Sequence, residues 1–319
     1  MKKIVILDSK TLGKVNFDKL NEFGNVECFD SSSKEEAIDR IKDANVVLTN
    51  KVVLDAEVLK NAKNIEIICE TATGYNNIDI EYAKKNNIAV TNVAGYSTNS
   101  VAQHTFAATL ALYDKISYFD NYVKSLDYSK SGLFTNLTVS YEELEGKIWG
   151  IVGLGAIGRK VAKIAESFGT KVIYYSTSGN HDDKTYKRVD LDELLSKSDI
   201  ISIHAPLNEK TKGLFNINNI RKMKSTAILV NMGRGSIIVE EDLTKAIDEN
   251  IIAGAALDVY EIEPLDQNNP LLKVKNKDKL VLTPHIAWAS VDARQRLFDG
   301  VVENIRAFYN NESNENRIC

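Results

Sequence analysis

Short apolar runs alternate with amphipathic stretches along the whole chain. In the first hundred residues, four runs rich in Ile and Val have the length of β-strands: 4–7, 46–48, 65–68 and 88–90. Between them, residues 34–41 and 55–59 place their apolar side chains at helical spacing. Alternating strands and helices with short loops are typical of parallel sheets covered by helices on both faces. The pattern predicts an α/β protein with doubly wound parallel sheets.

A second cycle of strands begins near Lys147. Its strand-like runs are 148–152, 171–175, 200–203, 227–230, 255–259 and 280–283. Six strands with intervening helices are the size of a dinucleotide-binding unit. A long helix is predicted over 97–115, between the two cycles, and another over 291–308, before a polar tail. Periodicity alone leaves open whether this last helix returns to the first domain.

Composition excludes several classes of protein. The chain has 319 residues, which suggests two domains, and a formal charge of −4, which disfavours nucleic-acid binding. Cys28, Cys69 and Cys319 are too few and too scattered for a disulfide framework or a zinc site. No apolar run approaches the ~18 residues that span a bilayer, and the N-terminus resembles a strand more than a signal peptide. We expect a reduced cytoplasmic protein with no metal and no membrane or nucleic-acid partner.

The strongest motif is Gly-Leu-Gly-Ala-Ile-Gly at 153–158, between a predicted strand and a predicted helix. Gly153 permits the tight turn, Gly155 lets a pyrophosphate approach the backbone, and Gly158 lets the helix pack close to the strand. The N–H groups at the helix start, including those of Ala156 and Ile157, then face the anion. A glycine turn without a ligand is the alternative, but this context favours a dinucleotide.

The ribose of such a dinucleotide is expected at Ser176, 18 residues after Gly158. An acid there would bind the ribose hydroxyls of NAD and repel the 2′-phosphate of NADP. The sequence instead has Ser-Thr-Ser at 176–178, with no Arg or Lys in the loop before Lys184. The cofactor is therefore expected to be NAD or NADP, with a slight preference for NADP. A solvated loop that tolerates either cofactor is the alternative.

Three ionisable residues each follow a predicted strand of the second cycle: Arg234, Glu263 and His285. The carboxyl ends of parallel strands are where open α/β sheets bind ligands. Reduction of a ketone by hydride needs a proton donor such as His, and a substrate carboxylate is held well by Arg. A carboxylate can orient the His. Taken singly, each residue is more often structural.

In these residues the sequence resembles the D-isomer-specific 2-hydroxyacid dehydrogenase family. The resemblance covers nearly the whole chain and rests on the motifs at 153–158, 231–235, 256–259, 263–264 and 284–285. It implies that Arg234 binds the substrate carboxylate and keto oxygen, that His285 protonates this oxygen, and that Glu263 holds His285. Glu261 is a second available acid, and only the Glu-Pro match selects Glu263.

The resemblance also implies further binding residues and a domain plan. Cofactor contacts are expected from Met232, Gly233, Arg234, Asp258 and His285 at the nicotinamide end, and from the loop residues His204 and Pro206. Substrate contacts are expected from Lys51, Thr73, Gly74, Arg234 and Trp288. The implied domains are a discontinuous catalytic domain, 1–98 plus 288–319, and a dinucleotide-binding domain, 99–287, with the active site between them. His104 is expected to be a packed helix histidine, and His181 a solvated one.

Within the family, the segments 95–104 and 285–290 look most like glycerate dehydrogenases, also called hydroxypyruvate reductases. This implies reduction of hydroxypyruvate or glyoxylate to the D-2-hydroxy acid. Alternatives are a broader 2-oxo-acid reductase acting on pyruvate or phenylpyruvate, and a nucleotide-sensing regulator similar to the C-terminal-binding-protein corepressors. The family also implies a homodimer, for which the aromatic stretch at 113–134 is a candidate interface.

Overall fold

The computed structural model of the protein describes residues 1–179 and 183–319. The expectation for His181 therefore falls outside the described residues. The strands in these ranges are β1 (Lys2–Ile6), β2 (Gly24–Cys28), β3 (Val46–Thr49), β4 (Ile67–Glu70), β5 (Ala89–Thr91), β6 (Ile148–Val152), β7 (Lys171–Tyr175), β8 (Lys187–Arg188), β9 (Ile200–Ile203), β10 (Ile228–Asn231), β11 (Gly254–Leu257) and β12 (Leu280–Leu282). The α-helices are α1 (Lys34–Ile41), α2 (Ala56–Leu59), α3 (Ile80–Lys85), α4 (Thr98–Tyr113), α5 (Ile116–Lys124), α6 (Asp127–Ser131), α7 (Ala156–Ser167), α8 (Leu191–Lys197), α9 (Ile217–Ile220), α10 (Glu240–Asp248) and α11 (Val291–Tyr309).

The chain forms two compact units. The first unit consists of Met1–Ser97 and Ala289–Cys319, and the second of Thr98–Trp288. The last helix, α11, thus belongs to the first unit. Hydrophobic periodicity alone left this assignment open. Ser290 begins α11 by accepting a hydrogen bond from the Ala293 N–H.

The first unit is built on a five-stranded parallel sheet in the order β2-β1-β3-β4-β5. All residues of β3 and β4 are buried, as expected for central strands of a parallel sheet. The polar tail follows α11 back to the sheet, where the Ile318 N–H donates to the Val90 carbonyl at 2.7 Å. Because β1, β3 and β4 are parallel neighbours in this sheet, their carboxyl ends lie side by side at one edge of it.

The second unit has a seven-stranded parallel sheet in the order β12-β11-β10-β9-β6-β7-β8. The strand order reverses between β6 and β9, which makes their carboxyl ends the expected ligand site. Two parallel sheets confirm the predicted α/β class with two Rossmann-like units. The predicted strands and long helices agree with the structure to within about two residues, except that β2 and β8 were missed. Both are edge strands with mainly exposed residues, so they lack the apolar run that marks a buried strand.

Candidate active site

The glycine loop lies at the switch point of the second sheet, between β6 and α7. Gly153 has a φ of +89°, and a Cβ there would lie 2.9 Å from the backbone of Ala205. A Cβ on Gly158 would overlap the carbonyl oxygen of Gly153, whereas one on Gly155 would meet nothing within 4 Å. The helix therefore packs tightly at Gly158, and open space remains where α7 begins, at the N–H groups of Ala156 and Ile157.

A cavity of about 670 Å³ adjoins this loop. Its walls include Ser176 and its neighbours after β7, and His204, Pro206 and Lys210 after β9. The hydroxyl oxygen of Ser176 accepts a hydrogen bond from the Gly179 N–H at 3.2 Å, so the short loop is internally ordered. The cavity has the size of a cofactor pocket.

This cavity is lined by two cations that the sequence analysis did not predict there, Arg159 and Lys210. Arg159 is on the first turn of α7 and forms an ion pair with Asp183, and Lys210 is on the loop after β9. The backbone N–H groups of Thr185 and Tyr186 also donate to Asp183. The ion pair with Arg159 is the main cause that lowers the pKa of Asp183 to about 2. Arg159 directly follows Gly158, the last glycine of the motif, and this position is the sequence signal that could have predicted a cation at the cavity.

His204 is neutral at physiological pH because its burial lowers its pKa to about 3. Its Nε2 lies 3.1 Å from the hydroxyl of Ser202, which in turn accepts a hydrogen bond from the Trp149 indole at 2.9 Å. Its Nδ1 is buried and has no hydrogen-bond partner among the described residues. A buried ring nitrogen without a partner, on a residue that lines the cavity, fits a polar group supplied by a bound cofactor.

Among the described residues of the second unit, Glu263 and His285 form the acid–histidine pair with the shortest distance between side chains. The Nδ1 of His285 lies 2.7 Å from Oε2 of Glu263, and Oε1 of Glu263 accepts a hydrogen bond from the Tyr260 N–H at 3.0 Å. An ionised carboxylate only accepts, so Nδ1 carries the hydrogen and Nε2 faces away from the acid. Glu261 is exposed and contributes its backbone N–H to Glu240 instead. The geometry thus pairs Glu263, rather than Glu261, with His285.

Asp258 is buried, with 1% of its side chain exposed, behind the loop that carries His285. Its Oδ1 accepts hydrogen bonds from the Thr283 hydroxyl at 2.6 Å and the Ile286 N–H at 2.9 Å, and its Oδ2 accepts from the Ala287 N–H at 2.8 Å. Both carboxylate oxygens are therefore used inside the protein. The cofactor contact that the family resemblance implies for Asp258 stays a prediction, because Oδ2 accepts one hydrogen bond here and a carboxylate oxygen can accept two.

Arg234 lies in the loop after β10, exposed at the carboxyl edge of the same sheet. Asn231 orders this loop, since its side chain donates to the Arg234 carbonyl at 3.0 Å and accepts from the Gly233 N–H at 2.9 Å. A Cβ on Gly235 would overlap the backbone of Tyr260, so the loops carrying Arg234 and Glu263 are in close contact. No carboxylate pairs with Arg234 in residues 1–179 and 183–319. Its Nη1 donates to the Gly233 carbonyl at 2.8 Å, and the other N–H groups of the guanidinium can bind an anion.

Lys51, Thr73 and Gly74 lie beyond the strand ends of the first unit. Asp8 anchors the loop of Lys51, because its carboxylate accepts hydrogen bonds from the backbone of Asn50, Lys51 and Val52 at 2.6–3.3 Å. Burial raises the pKa of Asp8, and these hydrogen bonds oppose the increase. The Thr73 hydroxyl donates to the Val93 carbonyl at 3.1 Å, and the backbone of the Thr73 loop is held by Asn92.

Trp288 is the last residue of the second unit and directly follows the buried Ala287. Trp288 is partly buried and packs against an apolar cluster that includes Ala287 and Val101.

No group of three metal-ligating side chains occurs in the part of the chain that the structure describes. None of the described helices is both long enough and apolar enough to cross a membrane.

A seven-stranded doubly wound sheet with a glycine loop at its switch point is the architecture of dinucleotide-dependent dehydrogenases. Residues 106–287 match the family model described as D-isomer specific 2-hydroxyacid dehydrogenase, NAD binding domain. The chain belongs to the D-isomer specific 2-hydroxyacid dehydrogenase family, as the sequence motifs predicted.

Relatives with named activities agree with this membership. The chain is 38% identical over 313 residues to a hydroxypyruvate reductase of Blautia hydrogenotrophica, covering 96% of each chain. It is 41% identical over 287 residues to a glyoxylate reductase of Thermofilum pendens, covering 88% of this chain and 83% of the relative. A solved structure of the acyclic imino acid reductase Bsp5, in complex with NADPH and D-Arg, is similar with a TM-score of 0.88 and 31% identity, over 99% of this chain and all of the other.

Proposed function

We propose that the protein reduces a small 2-oxo acid, hydroxypyruvate or glyoxylate, to the D-2-hydroxy acid with a nicotinamide cofactor. The observation that carries this proposal is the 2.7 Å contact between Glu263 and His285, in the same unit as the glycine loop and Arg234, which pairs with no carboxylate among the described residues. The names of the relatives, hydroxypyruvate reductase and glyoxylate reductase, support the substrate class.

The chemistry assigns a separate task to each side chain. The reduced nicotinamide, when bound, supplies a hydride to the keto carbon. His285 donates the proton on Nε2 to the keto oxygen, and Glu263 stabilises the imidazolium before the transfer. Arg234 binds the substrate carboxylate with two hydrogen bonds. Hydride and proton together convert the 2-oxo acid to the 2-hydroxy acid, and the reverse reaction begins with neutral His285.

Further residues are proposed to bind the cofactor and the substrate. Met232 and Gly233 flank the nicotinamide, and residues 153–158 bind the pyrophosphate through backbone N–H groups. Lys51 and the N–H groups of Thr73 and Gly74 contribute to carboxylate binding, and Trp288 forms an apolar wall of the substrate site. Asp258 remains a candidate for the nicotinamide end through its position after β11.

NADP is the proposed cofactor over NAD. Ser176 provides no negative charge at the ribose position, and Arg159 and Lys210 line the same cavity. Cations and hydroxyls near the ribose favour a 2′-phosphate, which an acid would repel. Arg159 is already paired with Asp183, so the proposal requires this ion pair to share its cation with the phosphate.

A substrate panel with both cofactors tests the activity. Purified protein is assayed with hydroxypyruvate, glyoxylate, pyruvate and phenylpyruvate, with NADPH and NADH, following nicotinamide absorbance. The expected result is the highest kcat/KM for hydroxypyruvate or glyoxylate with NADPH. Equal or better turnover of phenylpyruvate indicates the broader reductase, and cofactor binding without turnover indicates a nucleotide-sensing regulator. Repeating the panel with ammonium present tests imine reduction, the activity named for Bsp5.

Two neighbouring acids provide a matched control for the catalytic pair. Glu263→Gln keeps the size of the side chain but removes the charge next to His285, so turnover should fall by roughly 10–100-fold, part of the acid–base contribution. Glu261→Gln removes the same charge two residues away, where the side chain is exposed, and should retain turnover. Equal losses in both variants would contradict the assignment of Glu263.

We further propose that the protein is a homodimer through the predicted aromatic stretch 113–134 and the residues that follow it to 141. Helices α5 and α6 have no buried residue, and Phe134 is 91% exposed. The large hydrophobic residues exposed in this stretch are Ile116, Val123, Leu126, Tyr128, Leu133, Phe134, Leu137 and Tyr141. So much apolar surface is typical of an interface. Light scattering should give a dimer mass, and Phe134→Ser with Leu137→Ser should shift it to monomer, whereas Val291→Ser should not.

A reducing compartment, the cytoplasm, is proposed for the protein. Cys28, Cys69 and Cys319 are unpaired. Free thiols persist where glutathione and thioredoxin keep them reduced. Fractionation of the source cells tests this assignment.

A further inference from the structure

The backbone at His285 adopts a conformation that a side chain disfavours. Its φ is +54°, in the left-handed region, although it is not glycine. Such a conformation persists only where the surrounding structure holds it. The groups that hold this loop therefore decide where the imidazole of His285 is presented.

The first of these groups is the buried carboxylate of Asp258, which lies behind the loop. Its carboxylate binds the Thr283 hydroxyl before His285 and the N–H groups of Ile286 and Ala287 after it. The loop is thereby fixed on both sides of the left-handed residue. The short contact within the turn, from the His285 N–H to the Thr283 carbonyl at 3.0 Å, belongs to the same arrangement.

A second set comes from one face of α4. Ser100 and His104, four residues apart, are neighbours on the helix surface. The Ser100 hydroxyl donates to the Ala287 carbonyl at 2.6 Å, and Nε2 of His104 lies 3.0 Å from the Thr283 hydroxyl oxygen. The two side chains thus contact the loop at its end and at its beginning.

The direction of the His104 hydrogen bond follows from the hydrogens available. The only hydrogen of the Thr283 hydroxyl is donated to Asp258 at 2.6 Å. The hydroxyl oxygen must then accept at its other contact, so Nε2 of His104 donates. His104 consequently orients the Thr283 hydroxyl toward Asp258, and its Nε2 also lies 3.7 Å from that carboxylate.

We propose that His104, with Ser100, is a positioning residue for the proton transfer: through Thr283 and Asp258 it holds the loop that presents His285. This role rests on the proposed function for its catalytic consequence, whereas the hydrogen-bonded clamp itself does not. His104 was expected to be only a packed helix histidine, so the contact with Thr283 gives it a task that sequence spacing did not reveal.

The experiment compares three variants of α4. His104→Leu removes the donor, His104→Gln keeps an N–H donor at the position of Nε2, and Gln103→Leu changes an exposed neighbour on the same helix. Hydrogen exchange of the segment 283–290, measured by mass spectrometry without ligands, reports the clamp. Steady-state kinetics and the solvent isotope effect on kcat report proton transfer from His285.

In His104→Leu we expect exchange in 283–290 to accelerate at least about tenfold, kcat to fall by a similar factor with KM for the cofactor unchanged, and the solvent isotope effect to rise. His104→Gln should recover both exchange and kcat to within a few-fold, and Gln103→Leu should match the parent. Unchanged exchange in His104→Leu would overturn the clamp, even if the protein turned over none of the proposed substrates. Faster exchange with unchanged kcat on an active substrate would overturn the positioning role.

Discussion

Replacing Glu70 by glutamine should stabilise the first unit at neutral and alkaline pH. Glu70 is the last residue of β4 and has no exposed surface. Its Oε2 accepts a hydrogen bond from the Asn77 side chain at 3.0 Å, but its Oε1 has no partner among the described residues. Burial raises the pKa of Glu70 to about 8, and the nearby Asp8 adds to the increase, while Asn77 and Lys51 oppose it. The folded unit therefore keeps this carboxyl protonated near pH 7.

The sign of the pH dependence follows from proton uptake. Below a pH of about 4.5, the carboxyl is protonated in both the folded and the unfolded state and contributes nothing. Between about 4.5 and 8, the unfolded chain loses the proton and the folded chain keeps it, so stability falls as the pH rises. The pKa difference of about 3.5, at about 1.4 kcal/mol for each pH unit, is at most about 5 kcal/mol. Above pH 8 the loss is complete and constant.

Glu70→Gln keeps an oxygen for Asn77 but cannot ionise. The stability difference between variant and parent should therefore grow from pH 4.5 to pH 8, by up to about 5 kcal/mol. Urea titrations at several pH values measure it, followed by far-UV circular dichroism and tryptophan fluorescence. Trp149 and Trp288 both lie in the second unit, so a transition seen only by circular dichroism reports the first unit.

The control is Glu81→Gln, which removes the same charge from a side chain in the first unit that is 90% exposed. Its stability difference from the parent should change with pH far less than that of Glu70→Gln, because its side chain lies in solvent. If the difference for Glu70→Gln were also constant from pH 5 to 9, the folded unit would not hold this carboxyl in its protonated form, and the argument from burial would be wrong.

The remaining predictions concern the proposed reaction. His285→Ala should lower kcat by roughly 10²–10⁴-fold, the range of general acid–base catalysis, with little change in cofactor affinity measured by fluorescence; near-parental turnover would refute the assignment. Arg234→Lys keeps the charge but loses one of two charged hydrogen bonds, so kcat/KM for hydroxypyruvate should fall by roughly 10- to 100-fold. Ser176→Asp should lower the kcat/KM ratio of NADPH to NADH by roughly ten- to a hundredfold, because two charges ~4 Å apart repel by at most about 4 kcal/mol and solvent screens part of it. An unchanged ratio would mean that Ser176 does not face the ribose.

The features predicted from the sequence are those encoded by neighbouring residues. The strand at 148–152, the glycine loop and α7 follow one another directly, and each glycine has a local steric reason to be there. Buried strands carry continuous apolar runs, so both sheets were predictable, whereas the exposed edge strands β2 and β8 carry no such signal. The family itself was recognisable because its motifs keep their order along the chain.

Tertiary structure decided which distant residues meet. Two acids precede Pro264. The Glu-Pro match pointed to Glu263, and the fold brings its carboxylate to 2.7 Å from Nδ1 of His285, 22 residues away. Arg159 and Lys210 reach one cavity because β6 and β9 are adjacent in the sheet although α7, β7, β8 and α8 separate them in sequence. His104 contacts Thr283 across 179 positions. A sequence records hydrophobic pattern and local backbone preference, but hydrogen-bond partners depend on sheet order and helix packing, which bring together residues whose separation along the chain carries no trace of the contact.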